Sequence, residues 1–224
     1  MVIKQRAVAD EDKEVRRHAL LDAAEALFLA QPDRMANVAE VAEAAGLAKG
    51  TVYLYFPSKE EMLLSLHERH VAQFFAALMQ VLERPEPAGF DEIWAVTRDR
   101  LVRAPGYLPL TSRCFGLMDR DVPTAAAIAF RIRVGEALSA TGAALERHFP
   151  VLERGAGVAL LQHSYGLIVG LWQLLHPIER FDSEMQRAEL AIFRRDCEGE
   201  IERALRALWS GTLGGDAARR AGQP

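Results

Sequence analysis

Apolar residues recur at helical spacing along almost the whole of this 224-residue chain, and no stretch alternates apolar and polar residues with β-branched enrichment. The first pattern buries one stripe of a helix; the second would bury one face of a strand. An all-α fold is therefore expected. Helices are expected over about 14–30, in a short segment opened by Asn37, and over about 49–56 and 59–84. Further ones are expected at 90–103, 107–119, 123–148, 155–176 and 184–209. Pro32 with Asp33, Pro57, Pro85 with Pro87, Pro105, Pro123, Pro150 and Pro177 punctuate them, because proline removes an N–H and restricts the residue before it. Residues 210–224 read as a disordered tail.

Composition narrows the class. Half the residues are hydrophobic and 26% are charged, which excludes a collagen, a disordered chain and a disulfide scaffold. No apolar run is expected to reach the roughly 18 residues of a membrane span, and residues 1–14 lack the apolar stretch of a signal peptide. With two cysteines, Cys114 and Cys197, the chain suits a reducing cytoplasm. The net charge of −4 carries no nucleic-acid signature, yet all four lysines (Lys4, Lys13, Lys49, Lys59) lie in the first 59 residues and every later cation is arginine.

The informative stretch is NVAEVAEAAGLAKGTVYLYFPSK, from Asn37 to Lys59. Asn37 with Glu40 three residues on makes a capping box with Asn in the Ser/Thr place. Val38, Val41, Ala42 and Ala45 form one apolar face, and Gly46 permits a turn. Leu47 returns to the core, and Val52 and Phe56 give the next helix a buried edge. Two short helices joined by a Gly-containing turn form a helix-turn-helix. Leu20, Ala24, Leu27 and Phe28 of the preceding helix supply the third wall. The outward side of the second short helix then carries Lys49, Gly50, Thr51, Tyr53, Leu54 and Tyr55. An amine, a hydroxyl, two phenols and a bare glycine suit a major groove, where cations and hydroxyls meet base edges and phosphates.

These residues resemble the DNA-binding domain of the tetracycline-repressor (TetR) family. The likeness rests on Ala23-Ala24-Glu25-Ala26-Leu27-Phe28 and on the unbroken run from Val41 through Gly46, Gly50-Thr51-Val52-Tyr53-Leu54-Tyr55-Phe56 and Ser58-Lys59-Glu60 to Met62. It covers about residues 15–63. Ala48 departs from the family's Ser or Thr cap, Pro32 and Asp33 from its Gly-aromatic pair, and Ala36 from a frequent Thr. The resemblance implies an all-helical homodimer that binds double-stranded operator DNA. Its N-terminal three-helix DNA-binding domain would occupy residues 1–59, and a C-terminal ligand-binding and dimerisation domain residues 60–209. Lys49, Gly50, Thr51, Tyr53, Leu54 and Tyr55 would meet DNA, with Lys59 on a phosphate. Arg16 and Arg17 would reach the backbone from the first helix, and Lys4, Arg6 and Lys13 from a flexible arm.

Beyond residue 63 periodicity alone is available. Leu190, Phe193, Cys197, Ile201, Leu205 and Leu208 share a stripe on the 184–209 helix. The 155–176 helix is apolar nearly all round, and one face carries Ala159, His163, Gly166 and Gly170. Small residues in a row admit either a close helix neighbour or a ligand. Since the last two long helices of the resembled family pair with their mates, Ala159, His163, Gly166, Gly170, Phe193, Ile201 and Leu205 are read as the dimer seam. A mostly apolar effector cavity with a few polar groups would draw on Trp94, Arg98, Tyr107, Arg113, Cys114, Phe115, Met118, Phe130, Val134, His163 and Trp172. Arg113 would meet a ligand carboxylate or Asp119.

His67 and His70 are read as a solvated helix face, since no third residue at metal-binding spacing accompanies them. His163 is read as an interior histidine. No metal, cofactor or catalytic constellation is expected: the chain lacks a nucleophile elbow and a Gly-rich phosphate loop. The expected function is a ligand-responsive, DNA-binding transcriptional repressor. The alternatives are an all-helical small-molecule carrier that never binds DNA, or a helical enzyme.

Overall fold

The computed structural model describes residues 2–32, 34–86, 88–176 and 183–221. Among them there is no strand. The helices are α1 (Val2–Ala30), α2 (Val38–Ala44), α3 (Lys49–Tyr53), α4 (Lys59–Leu82), α5 (Phe90–Thr97), α6 (Tyr107–Arg120), α7 (Thr124–His148), α8 (Ala156–Leu175) and α9 (Cys197–Ala221). A π-helical turn, Arg98–Val102, prolongs α5, and its wider coil puts the Arg103 N–H 2.7 Å from the Arg98 carbonyl.

Two compact units emerge, Met1–Val71 with Pro105–Ile132, and Ala72–Ala104 with Arg133–Pro224. Helices α4 and α7 contribute residues to both. The core of the first unit gathers Leu20, Leu21, Ala24 and Phe28 of α1, Val38, Val41 and Ala42 of α2, Val52, Phe56, Met62, Leu63 and Leu66, with Leu110 and Cys114 of α6. α6 is thus part of the platform beneath the short helices.

In the second unit α8 packs along α9. Trp209 of α9 donates its indole N–H to Ser164 Oγ at 3.0 Å, and its ring meets the edges of Phe90 and Phe149. The amphipathic indole is satisfied at both its polar and apolar parts. α7 and α8 cross at Gly142 and Gly157: a Cβ on Gly157 would overlap the Gly142 carbonyl oxygen. Only glycine admits so close an approach of two backbones.

Three expectations need correction. First, the helix expected over 184–209 is broken. Two 3₁₀ segments, Glu184–Gln186 and Ala188–Phe193, precede a bend, and α9 begins afresh at Cys197 and runs to Ala221. Asp196 accepts the Gly199 N–H at 3.2 Å, so capping chemistry overrides periodicity there. Second, α1 starts at Val2 rather than near residue 14, so the backbone expected as a flexible arm is helical, although the side chains of residues 2–11 lie outside the description. Third, α8 contains no Asp, Glu, Lys or Arg and is long and apolar enough to cross a membrane by length and composition. Leu160, Leu161, Ile168 and Val169 are buried, while much of its remaining apolar surface, Leu174 included, faces outward.

Candidate nucleic-acid interface

α2 has seven residues and α3 has five, too short to persist on propensity alone. Local bonds hold them. Asn37 Oδ1 accepts the Ala39 and Glu40 N–H groups at 2.9 and 3.1 Å, and Glu40 accepts the Asn37 N–H at 2.8 Å. Arg34 grips the same carboxylate through two bonds of 2.8 and 3.0 Å, which with the Asn37 contact holds the Glu40 carboxyl below its ordinary pKa. At the other end Gly46 adopts φ +66°, and the Leu47 N–H returns to the Ala42 carbonyl at 2.9 Å. This left-handed residue closes α2 and aims the chain into α3.

Ala48 occupies the N-cap of α3 with no side-chain bond. α3 relies instead on burial: Val52 is fully buried and Phe56 nearly so. Beyond Tyr53 the N–H groups of Leu54, Tyr55 and Phe56 still reach the carbonyls of Thr51 and Val52, so the coil persists up to Pro57. Ser58 then accepts the Glu61 N–H at 3.0 Å and starts α4.

This anchoring sets the outward side. Lys49, Gly50, Tyr53 and Leu54 are exposed, Leu54 by 78%, and Thr51 is half-buried. A leucine so exposed at the C-cap of a five-residue helix gains nothing from its own core, which makes it informative. Tyr55 departs from the expectation: it is half-buried and packs on the core, because it stands three residues after Val52 and shares that face. Lys59 is exposed, with Glu60 at 3.8 Å. Arg16 is exposed. Arg17 is half-buried, its guanidinium 5.5 Å from the Phe56 ring centroid, so it braces α1 against the turn rather than lying on a solvated face.

The expected effector residues fall into both units. Tyr107, Cys114 and Phe130 are buried in the first, with Arg113, Met118 half-buried and Phe115 exposed. The Arg113 guanidinium lies 5.9 Å from the Phe28 ring; Asp119, its expected partner, has a side chain outside the description. In the second unit Trp94 is buried, Val134 half-buried, and Arg98 pairs with Asp99 at 2.9 Å. Trp172 stacks on His176 at 4.5 Å. His163 is exposed, not interior, because it lies outside the stripe of α8 that buries Leu161, Ser164 and Ile168. A separate cavity of about 340 Å³ is lined by Leu175, Met185, Gln186, Phe193, Arg194, Arg195 and Cys197, none of them expected there.

Two sequence segments match family descriptions. Residues 20–66 match the model of bacterial regulatory proteins of the tetR family, and residues 67–215 match the tetracyclin repressor-like C-terminal domain. The chain belongs to the TetR family. The HTH-type transcriptional regulator EthR of Mycobacterium tuberculosis is 38% identical over 79 residues, 35% of this chain and 37% of EthR. The fatty acid metabolism regulator protein of Bacillus subtilis is 32% identical over 69 residues, 31% of this chain and 36% of that protein. This chain therefore matches just over a third of the length of these relatives. A TetR-family transcriptional regulator of Mesorhizobium loti superposes with a TM-score of 0.59 at 17% identity, covering 90% of this chain and 96% of that one. The fatty acid degradation regulator FadR of Bacillus halodurans gives 0.55 at 19% identity, covering 88% and 95%. These structures share the fold.

Within this TetR-family chain the expected dimer stripe is split. Ala159, His163, Gly166 and Gly170 are exposed or half-buried on α8, and Phe193 is exposed. Ile201 and Leu205 are instead buried inside their own subunit, since they share the inward stripe with Trp209.

Sequence reasoning missed an ionic clamp between α1 and α4. Arg69 reaches Asp22 and Glu25, each at 2.5 Å, and His70 meets the other Glu25 oxygen at 2.8 Å. His67 and His70 are not a solvated face. His67 is buried, 3.1 Å from Thr111 Oγ1, and burial pushes its pKa down to about 4. The partners lie more than forty positions away in sequence, beyond what local spacing reveals. Both cysteines are poor nucleophiles: burial pushes the Cys114 thiol up to about 12, and burial with Asp196 and Glu198 raises Cys197.

Proposed function

We propose that this chain is a ligand-responsive transcriptional regulator, a repressor that binds double-stranded operator DNA as a homodimer and leaves it when a small molecule binds. Residues 1–59 form the DNA-binding part, and residues 60–209 serve ligand binding and dimerisation. The carrying observation is the exposed side of α3, where Lys49, Gly50, Tyr53 and Leu54 stand outward over the buried pair Val52 and Phe56. Leu54 is free to touch a thymine methyl, Tyr53 and Lys59 to reach phosphate oxygens, and Lys49 to meet a guanine edge or a phosphate.

Two copies read one face of a near-palindrome in grooves about 34–36 Å apart. The uncharged outward face of α8, with Ala159, Gly166 and Gly170, is the seam on which the second copy closes, because contiguous apolar surface of this kind marks association sites. The protein works in the cytoplasm, where its operator lies. An effector releases DNA only through its differential affinity for the two conformers.

The test is fluorescence anisotropy with the protein's own upstream region and other genomic fragments. Wild type binds a fragment in a salt-dependent manner. Tyr53→Ala/Lys59→Ala loses that binding while its circular dichroism and dimer mass stay unchanged. Unaltered affinity in the double variant refutes the interface.

A further inference from the structure

The break that precedes Cys197 leaves a cavity where α8 ends and α9 begins. Its volume of about 340 Å³ is near the lower end of the roughly 300–1,000 Å³ usual for small-molecule sites. Leu175, the last residue of α8, joins Met185 and Phe193 in an apolar wall, and Arg194, Arg195 and Cys197 face it from the bend and the start of α9. Phe193 remains 42% exposed beside the cavity, because the break lifts it off the stripe that a continuous helix would bury. Among the described residues no Asp or Glu lines this space.

The charges around the cavity do not balance, and the surplus falls on Arg194. Its Nη1 donates to the Gln186 carbonyl oxygen and to Gln186 Oε1, each at 3.3 Å. Both acceptors are neutral, so they aim the guanidinium without cancelling its charge. The carboxylates of the same segment are engaged elsewhere. Glu184 and Glu189 each lie 3.7 Å from Arg187. Asp196 caps α9 through the Gly199 N–H, and Glu198 holds Arg103 by two bonds of 2.7 Å. Glu200 is shared between Arg195 and Arg203. Among the described residues no carboxylate is paired with Arg194. A guanidinium is a planar fork that matches a carboxylate, and here it stands next to an apolar wall.

We infer that this cavity binds a small organic monocarboxylate with a compact apolar body, the carboxylate on Arg194 and the body against Leu175, Met185 and Phe193. Such a ligand covers the open Phe193 ring and supplies the anion that the segment lacks. It also ties the last turn of α8 to the start of α9 across the break. The site lies wholly within the second unit, and the inference does not depend on the DNA-binding reading.

The test uses the full-length protein and three probes on one carbon skeleton: 4-phenylbutyrate, its amide 4-phenylbutanamide, and 4-phenylbutylamine. Arg194 is exposed, so water and salt weaken the pairing. Calorimetry at low ionic strength is therefore expected to rank the carboxylate above the amide by about fivefold, with the ammonium weakest, and the gap to narrow as salt is added. Arg194→Gln removes the gap between carboxylate and amide. Arg187→Gln, whose residue does not line the cavity, keeps it. Cys197 places the ligand without any variant. It lines the cavity, whereas Cys114 is 1% exposed, so N-ethylmaleimide labels Cys197 in the folded protein. Saturating 4-phenylbutyrate slows that labelling severalfold. No binding of any probe, equal affinity for carboxylate and amide in the wild type, a gap that survives Arg194→Gln or vanishes equally in Arg187→Gln, or an unchanged labelling rate at saturation overturns the inference.

Discussion

Between Asn37 and Phe56 the shape of the chain is held by single atoms, whereas between Gly142 and Trp209 it is held by surfaces. The short helices depend on one Asn side chain, one left-handed Gly and two buried residues. α7, α8 and α9 depend on close backbone crossing and on burial of Leu160, Ile168, Ile201, Leu205 and Trp209. Point-specified structure leaves its outward side free of folding duty, and that is where Lys49, Tyr53 and Leu54 stand. Surface-specified structure uses most faces of each helix, so a face left apolar and open, like that of α8, is a candidate for a second copy.

The comparison can be broken most severely at the crossing. Gly157→Ala places a Cβ on the Gly142 carbonyl and is expected to cost about 3 kcal/mol, read as a lower urea midpoint. Gly170→Ala on the same helix meets nothing within 4 Å in the subunit and should leave subunit folding intact or slightly firmer, yet weaken dimerisation in sedimentation. Equal effects of the two would erase the distinction between fold and seam.

Next in size is acid. His67 takes a proton near 4 when folded and near 6.5 when unfolded, so the unfolded state binds more protons as pH falls through that window. Stability contributed by the neutral ring is complete above about 6.5 and should drop by about 2 kcal/mol between pH 7 and pH 5. His67→Phe should be less acid-sensitive by that amount in paired denaturation curves. The depressed pKa of His70, burial outweighing Glu25, pushes in the same direction. Smallest are the caps. Asn37→Ala should cost about 1 kcal/mol, and Ala48→Ser, which supplies the missing cap of α3, should return a similar amount. Thermal melts of both variants check the pair.

The same contrast governs what the amino-acid order discloses. Asn37 with Glu40, Gly46 and Ser58 act on neighbours within a few residues, so their roles are legible along the chain, and the turn geometry follows them. Tyr55 is less legible because it follows Tyr53 and Leu54 directly in a run of outward residue types, while the helix returns it to the Val52 face. The bend before α9 hid because Leu190, Phe193 and Cys197 keep helical spacing although Asp196 starts a new helix. His67, Arg69 and His70 were illegible as partners, since Thr111 and Glu25 reach them only through folding.

Photocrosslinking addresses the central claim most directly. A benzoylphenylalanine in place of Leu54 should crosslink to the bound genomic fragment, while the same group in place of Ile192, equally open at 70% exposure, should not. Crosslinking from position 192 and none from position 54, in protein that still binds the fragment, would contradict the assignment of α3 as the surface that reads DNA.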